Sequence, residues 1–380
     1  MYTSIGENVK WEYKGSEVRP AMDGLGGFLG DHMKAVLNVD IGEEIKKVYV
    51  FLKRIPVDNK PKADFIDSKK YFKREKLMFQ VLEQICEDGE FCNIASVKAL
   101  KEITTQHYLH TLDLAHIFVA VKSIARFHAA FVNYETKKSI DLNRTYNINQ
   151  VFSDIITEPA FCDSPWLKAA SKVSTKLLKQ FSTKSYHNLP DLEYKLTKLY
   201  VEACDSVLEY KDTVNVLIHK DLWVNNIMFK YDHDVPVNAV LIDYQCIRYA
   251  PPAFDLMLFI YFTTDRKFRK DNEKKIFDHY YSVFNESLNE ESKERLTRLG
   301  YDKENFLLWC EKARMFGMLV PICICPFSLL DSKTAQKTFD DPDTFDKHFL
   351  EDRSGPVVAH AMKCSIYRDR NVEITEEFNV

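Results

Sequence analysis

VLIHKDLWVNNIMF at residues 216–229, followed by VLIDYQ at 240–245, decides how this 380-residue chain is read. His219, Asp221 and Asn226 form an H-x-D-x-x-x-x-N pattern that leaves one apolar strand and enters another. The second strand returns through a hairpin around Tyr-Asp-His-Asp at 231–234 and ends at Asp243. The arrangement suits phosphoryl transfer: one carboxylate can meet an attacking hydroxyl, while a second carboxylate and an amide oxygen can hold a divalent metal against phosphates. Loops leaving buried strands hold such groups rigidly. The competing reading is a polar turn in which Asp221 and Asn226 only cap. The apolar strand, the hairpin and the second Asp weigh against it.

Working outward, two β-like stretches at 33–39 and 47–53 precede this centre, the second ending before Pro56. A glycine-rich stretch, GLGGFLG at 24–30, comes before them, and the first twenty residues read as a loosely structured lead-in. A helix is predicted from Ser68, as N-cap, to Ile85, with Phe72, Glu75, Phe79 and Leu82 on one face; an acid on that stripe is unexpected. A second helix, 112–132, carries Ile117, Val121, Ile124, His128 and Phe131 on one stripe. Pro190 opens a third, with Leu192, Leu196, Leu199 and Ala203 facing inward, and the chain after Asp255 reads as largely helical. The fold class expected is α+β: a small β-rich front and a large helical body with a strand pair inserted.

Composition narrows the function. There are 52 basic and 56 acidic residues, net charge −4, so nothing points to nucleic acid or to an anionic membrane surface. The nine cysteines form no CxxC pair, which suits free thiols in a reducing cytoplasm. The N-terminus has no apolar signal-peptide core. The longest uncharged stretch, 315–330, is too short to span a membrane and contains Pro321 and Pro326. A monomeric cytoplasmic protein is expected.

The segment His219-Lys220-Asp221-Leu222-Trp223-Val224-Asn225-Asn226, with Ile242-Asp243-Tyr244-Gln245 and Asp255-Leu256, resembles the ecdysteroid kinase-like family, which is similar to choline kinases and aminoglycoside phosphotransferases. Ile124-Ala125-Arg126-Phe127-His128-Ala129, the strand end Lys53-Arg54-Ile55-Pro56 and the helix start Phe72-Lys73-Arg74-Glu75 extend the resemblance from about residue 20 onward. It implies a protein-kinase-like fold of two lobes after the lead-in (1–20): an N-lobe at 21–105 and a C-lobe at 106–380. It implies an ATP- and Mg²⁺-dependent phosphotransferase acting on a small-molecule alcohol. Asp221 would be the catalytic base, and Asn226 and Asp243 the metal ligands. Lys53 would reach the ATP phosphates and pair with Glu75. Gly26 and Gly27 would lie in a loop over the nucleotide phosphates, with His219 and Asp255 as structural support.

Two departures from the family pattern stand out. Lys220 replaces the usual glycine, and the segment between Ile85 and Leu112 lacks the two strands and apolar hinge strand of a complete N-lobe. The second departure keeps a competing expectation open, an inactive kinase-like binding protein with an incomplete adenine pocket. A protein kinase is disfavoured, because Trp223 stands where a phosphate-contacting lysine would be and no Asp-Phe-Gly or Ala-Pro-Glu follows. The acid-free stretch 315–330, placed by the resemblance near the acceptor, leads one to expect an apolar alcohol such as an ecdysteroid rather than a polycationic sugar.

Overall fold

The computed structural model describes residues 11–21, 29–41, 44–87 and 111–378. In chain order the strands are β1 (Trp11–Pro20), β2 (Asp31–Ile41), β3 (Glu44–Arg54), β4 (Val216–Ile218), β5 (Ile227–Asp232), β6 (Val235–Leu241) and β7 (Arg248–Ala250). The first helices are α1 (Lys60–Ser68), α2 (Tyr71–Glu87), α3 (Leu114–Asp141), α4 (Ile148–Val151), α5 (Pro165–Phe181) and α6 (Leu192–Asp205). After the inserted strands come α7 (Ala253–Thr263), α8 (Arg266–Glu286), α9 (Glu290–Leu299), α10 (Lys303–Ser328), α11 (Ser332–Phe339), α12 (Ser354–Ala361) and α13 (Ser365–Glu377). The fold is α+β, as expected. It divides into two units, Met1–Ser68 with Asp331–Phe349, and Lys69–Leu330 with Leu350–Val380.

In the first unit β1, β2 and β3 form an antiparallel sheet. The expected loose lead-in is corrected here, because residues 11–20 are strand β1. The sequence hid it: Lys, Glu, Gly15 and Pro20 are poor strand formers, and the strand is held by its ladder to β2, with little burial of its side chains. A bulge between Tyr13 and Gly15, where φ is 141°, shifts the register once. Helix α1 is tied by Lys62, whose buried Nζ lies 2.7 Å from the Asp340 carboxylate, while Phe65 packs edge-on against Phe345 and Phe349.

The second unit is built around α3, α7 and α10. The stripe Ile117, Val121, Ile124, His128 and Phe131 is fully buried on α3, which runs nine residues beyond the expected end at residue 132. By length and composition α3 could cross a membrane, but 72% of its apolar window is buried within the protein. Helix α7, AFDLMLFIYFT, is apolar all round and buried at every position, as such a sequence requires. Helix α6 begins after Asp191 and buries Leu192, Leu196 and Ala203, with Tyr200 rather than Leu199 completing the stripe.

Helix α2 departs from its expected start and face. Ser68 ends α1, its hydroxyl donating to the Phe65 carbonyl, and a left-handed Lys70 (φ 56°) separates the two helices. The buried stripe is Tyr71, Arg74, Leu77, Met78, Val81 and Ile85, while Phe79 is 56% exposed. Arg74 can occupy the inner face because its guanidinium donates to the Lys69 carbonyl and to the carbonyl and hydroxyl of Thr157.

Helices α7 and α10 meet at Gly317. A Cβ there would stand 2.8 Å from Met257 Cβ and 2.9 Å from the Met257 carbonyl carbon. Backbone cannot yield cheaply, so Gly317→Ala should lower stability by about 1–3 kcal/mol through overpacking. Urea unfolding monitored by circular dichroism measures this; an unchanged midpoint would mean the helices are not held this closely.

Candidate active site

Strand β4 is fully buried and pairs with β7. Beyond Ile218 the chain turns so sharply that two successive amides point inward. Asp255, in the first turn of α7 and fully buried, accepts both: His219 N donates to Oδ2 at 2.6 Å and Lys220 N to Oδ1 at 2.7 Å. His128 Nε2, on α3, lies 3.1 Å from Oδ2, and His128 Nδ1 lies 2.7 Å from the Tyr280 hydroxyl on α8. His219 packs 5.0 Å from the Tyr244 ring, and its Nε2 donates to the Ile242 carbonyl at 2.9 Å. Burial holds its pKa below the ordinary imidazole value, so His219 is a neutral brace at physiological pH.

The loop then brings three of the expected residues together. Asn226 Nδ2 donates to Asp221 Oδ2 at 2.9 Å and to the Asp221 carbonyl at 2.8 Å. The Asn226 carbonyl accepts from Ile242 N at 3.0 Å, fixing it to the residue before Asp243. Asp243 adopts a left-handed conformation (φ 67°), and Gln245 Nε2 lies 3.3 Å from its Oδ2. Asp221 and Asp243 are both half-buried. Burial pushes the neighbouring Cys246 thiol far up, and both carboxylates add to that effect, so the two acids share one neighbourhood.

The donor set suits a hard divalent cation. Mg²⁺ takes oxygen ligands and is commonly held by one or two carboxylates together with substrate phosphates. Asp243 and the amide oxygen of Asn226 provide such a partial set. Among the described residues no group of three or more His, Cys, Asp or Glu forms an all-protein cage.

The remaining expected residues are distributed as follows. Lys53 lies on β3 in the first unit, its Cγ 3.4 Å from where a Cβ on Gly30 would stand. Glu75 lies on α2 in the second unit, close enough to Tyr244 to add to the upward shift that burial gives its hydroxyl. Gly26 and Gly27 lie outside the described residues, as does the segment expected to lack strands and hinge. The stretch 315–330 covers the second half of α10 and the two residues after it, is mostly buried and packs against α7; Pro321 and Cys325 border a small dimple shared with Tyr261 and Arg269. Trp223 stacks on Phe262 with ring centres 5.7 Å apart.

Two supporting features escape sequence reading. His128 on an otherwise apolar stripe was a signal, but its partners Asp255 and Tyr280 are 127 and 152 residues away. Glu158 pairs with Lys220, each carboxylate oxygen 2.5 Å from Nζ, and nothing local in Glu158-Pro159-Ala160-Phe161 marks it.

Asp255→Asn would replace one acceptor oxygen by a donor facing buried donors. A loss of about 3–5 kcal/mol is expected, as for breaking a buried charged interaction. Thermal unfolding of the variant checks it, and a shift of less than one degree would contradict the geometry.

No curated protein matches the chain. A profile of the ecdysteroid kinase-like family matches residues 100–291, just over half of the sequence. That span covers His128, the loop with Asp221 and Asn226, the hairpin, Asp243 and Asp255. The chain belongs to the ecdysteroid kinase-like family, a family of kinase-like small-molecule kinases.

Proposed function

We propose that this protein transfers the γ-phosphoryl group of Mg·ATP to the hydroxyl of a small, largely apolar alcohol, such as an ecdysteroid or another hydroxylated lipophilic compound. The observation that carries the reading is the Asn226 amide bridging to Asp221 while the Asn226 backbone is bonded to Ile242, next to Asp243. Mg·ATP would supply the transferable group, and its metal would offset charge on the phosphate oxygens. Asp221, oriented by Asn226, takes the proton of the acceptor hydroxyl as that oxygen bonds to phosphorus and the bridging oxygen leaves with ADP. Asp243 and the Asn226 amide oxygen would hold the metal. Lys53 is the residue we assign to the ATP phosphates, as the family resemblance implies. His219 and Asp255 keep the loop in shape.

Support for an apolar acceptor comes from the family and from the aromatic stack of Trp223 on Phe262, two residues past Asp221. Aromatic faces with few polar groups suit such ligands. Aminoglycoside-type acceptors instead need clustered carboxylates to meet their ammonium groups.

Asp221→Asn should lower turnover by about 10²–10⁴-fold, the usual contribution of a positioned base, with nucleotide binding retained. Asp243→Asn should in addition weaken Mg·ATP binding, read by calorimetry. Near-wild-type rates in either variant would mean the site is misplaced.

A panel of acceptors assayed for ATP-dependent phosphorylation tests the substrate class. Hydroxysteroids should be phosphorylated at least tenfold more efficiently, by kcat/KM, than choline or aminoglycosides. The reverse order would overturn the acceptor assignment and leave the kinase reading intact.

A further inference from the structure

Lys220 combines two unfavourable features directly before Asp221. Its φ of 61° lies in the left-handed region, which glycine enters freely and residues with a Cβ enter at a cost. Its ammonium group is also buried, the residue being 1% exposed. Backbone strain of this kind persists only where surrounding contacts over-determine it, and it gathers at functional sites. The contact here is Glu158, with Nζ 2.5 Å from both carboxylate oxygens and 5.2 Å above the Phe161 ring. Glu158 Oε1 also accepts the backbone N–H groups of Ala160 and Phe161, at 3.0 and 2.8 Å, so the carboxylate shapes its own loop as well.

Four cations converge on residues 154–158. Lys70 Nζ donates to the Asp154 carbonyl at 2.7 Å, and Arg248 to the Ile156 carbonyl at 3.1 Å. Arg74 donates to the Thr157 carbonyl and hydroxyl at 2.9 and 2.8 Å, and Lys220 meets Glu158. Lys70 immediately precedes α2 and Arg74 lies in its first turn; Arg248 opens β7, and Lys220 belongs to the catalytic loop. One short loop is thus bonded to the helix carrying Glu75 and to the residue preceding Asp221.

We propose that residues 154–158 are a positioning clamp that holds α2 in register with the catalytic loop, with Lys220–Glu158 as the joint that sets Asp221. Lys220 and Glu158 are positioning residues, acting through the loop backbone. The effect on turnover rests on the phosphotransferase reading; the clamp itself does not.

The test is the double variant Lys220→Gly/Glu158→Gln. Glycine suits the left-handed backbone and glutamine removes the charge left behind, so the thermal midpoint should stay close to that of wild type. Hydrogen–deuterium exchange across residues 216–229 should nevertheless speed up at least tenfold, with α10 unchanged. In Mg·ATP hydrolysis without added acceptor, kcat should fall at least tenfold while KM for ATP stays within twofold. Thr157→Ala, at the α2 joint, should also raise exchange across 216–229. Wild-type exchange and kcat in the double variant would reduce the pair to a packing detail, and a Thr157→Ala effect confined to α2 would overturn the coupling. Glu158→Gln alone moves the same readouts in the same direction and serves where the double variant is too unstable to purify. If exchange responds but wild type turns over no ATP with any acceptor, the clamp stands and the phosphotransferase reading falls.

Discussion

The Asp255 carboxylate is the group on which the rest of this site depends. Strand β4 ends in a turn that sends two consecutive N–H groups, from His219 and Lys220, into a region with no strand to receive them. Buried amides must be satisfied, and a buried carboxylate must be surrounded by donors. Each requirement answers the other. Charge-assisted bonds of this type are each worth about 1.5–3 kcal/mol, enough to hold a left-handed lysine in place. The position of the loop therefore follows the position of α7. That helix is set in turn by the close approach at Gly317 and by the His128–Tyr280 chain from α3 and α8. An apolar helix with a single acid transmits its depth and rotation to the residue next to Asp221.

The far end of the loop is fixed by a different device. The peptide groups of Ile242 meet both sides of it: the carbonyl accepts from His219, and the N–H donates to the Asn226 carbonyl. Asp243 follows immediately, so its place is set by the β5–β6 register, in which Ile227 faces Leu241. A one-residue slip would exchange the two faces of the strand and carry Asp243 away from Asn226. The two carboxylates thus depend on separate constraints, helix packing for Asp221 and strand register for Asp243, and Asn226 joins them.

Much of this was readable from sequence because it is local. The strand–loop–hairpin pattern, the α3 stripe and the apolar α7 are periodicities within one segment, and burial follows periodicity. Features resting on distant partners were not readable. Helical spacing of apolar residues points to Phe72, Glu75, Phe79 and Leu82 as the inner face of α2, since such counting cannot credit a buried arginine. Arg74 turns inward because Lys69 and Thr157 carbonyls receive it, and Thr157 is 83 residues away. Strand β1 was missed for a related reason: it is stabilised by a ladder to β2, and its own side chains carry little of the usual strand signature. In the site, Asp221, Asn226, Asp243 and Asp255 announce themselves by spacing, whereas Glu158 has meaning only once the left-handed Lys220 aims a buried cation at it.

The stretch 315–330 shows where apolarity misleads. An acid-free run can line a pocket for a lipophilic ligand or lie inside a helical core, and composition is the same in both cases. The deciding feature is the neighbour. Gly317 brings α10 to backbone distance from α7, and most of the stretch is buried in the helical core. The apolar acceptor we propose draws its physical support instead from the aromatic surface beside the Asp221 loop. Trp223 is half-exposed and stacked on the buried Phe262. A ring held flat by a second ring gives up little side-chain entropy when a ligand covers it. Its placement two residues after Asp221 ties any compound resting there to the carboxylate that would receive its proton. Acceptor recognition and base catalysis would then share one short, rigid segment, and a change in the loop that disturbs one would disturb the other.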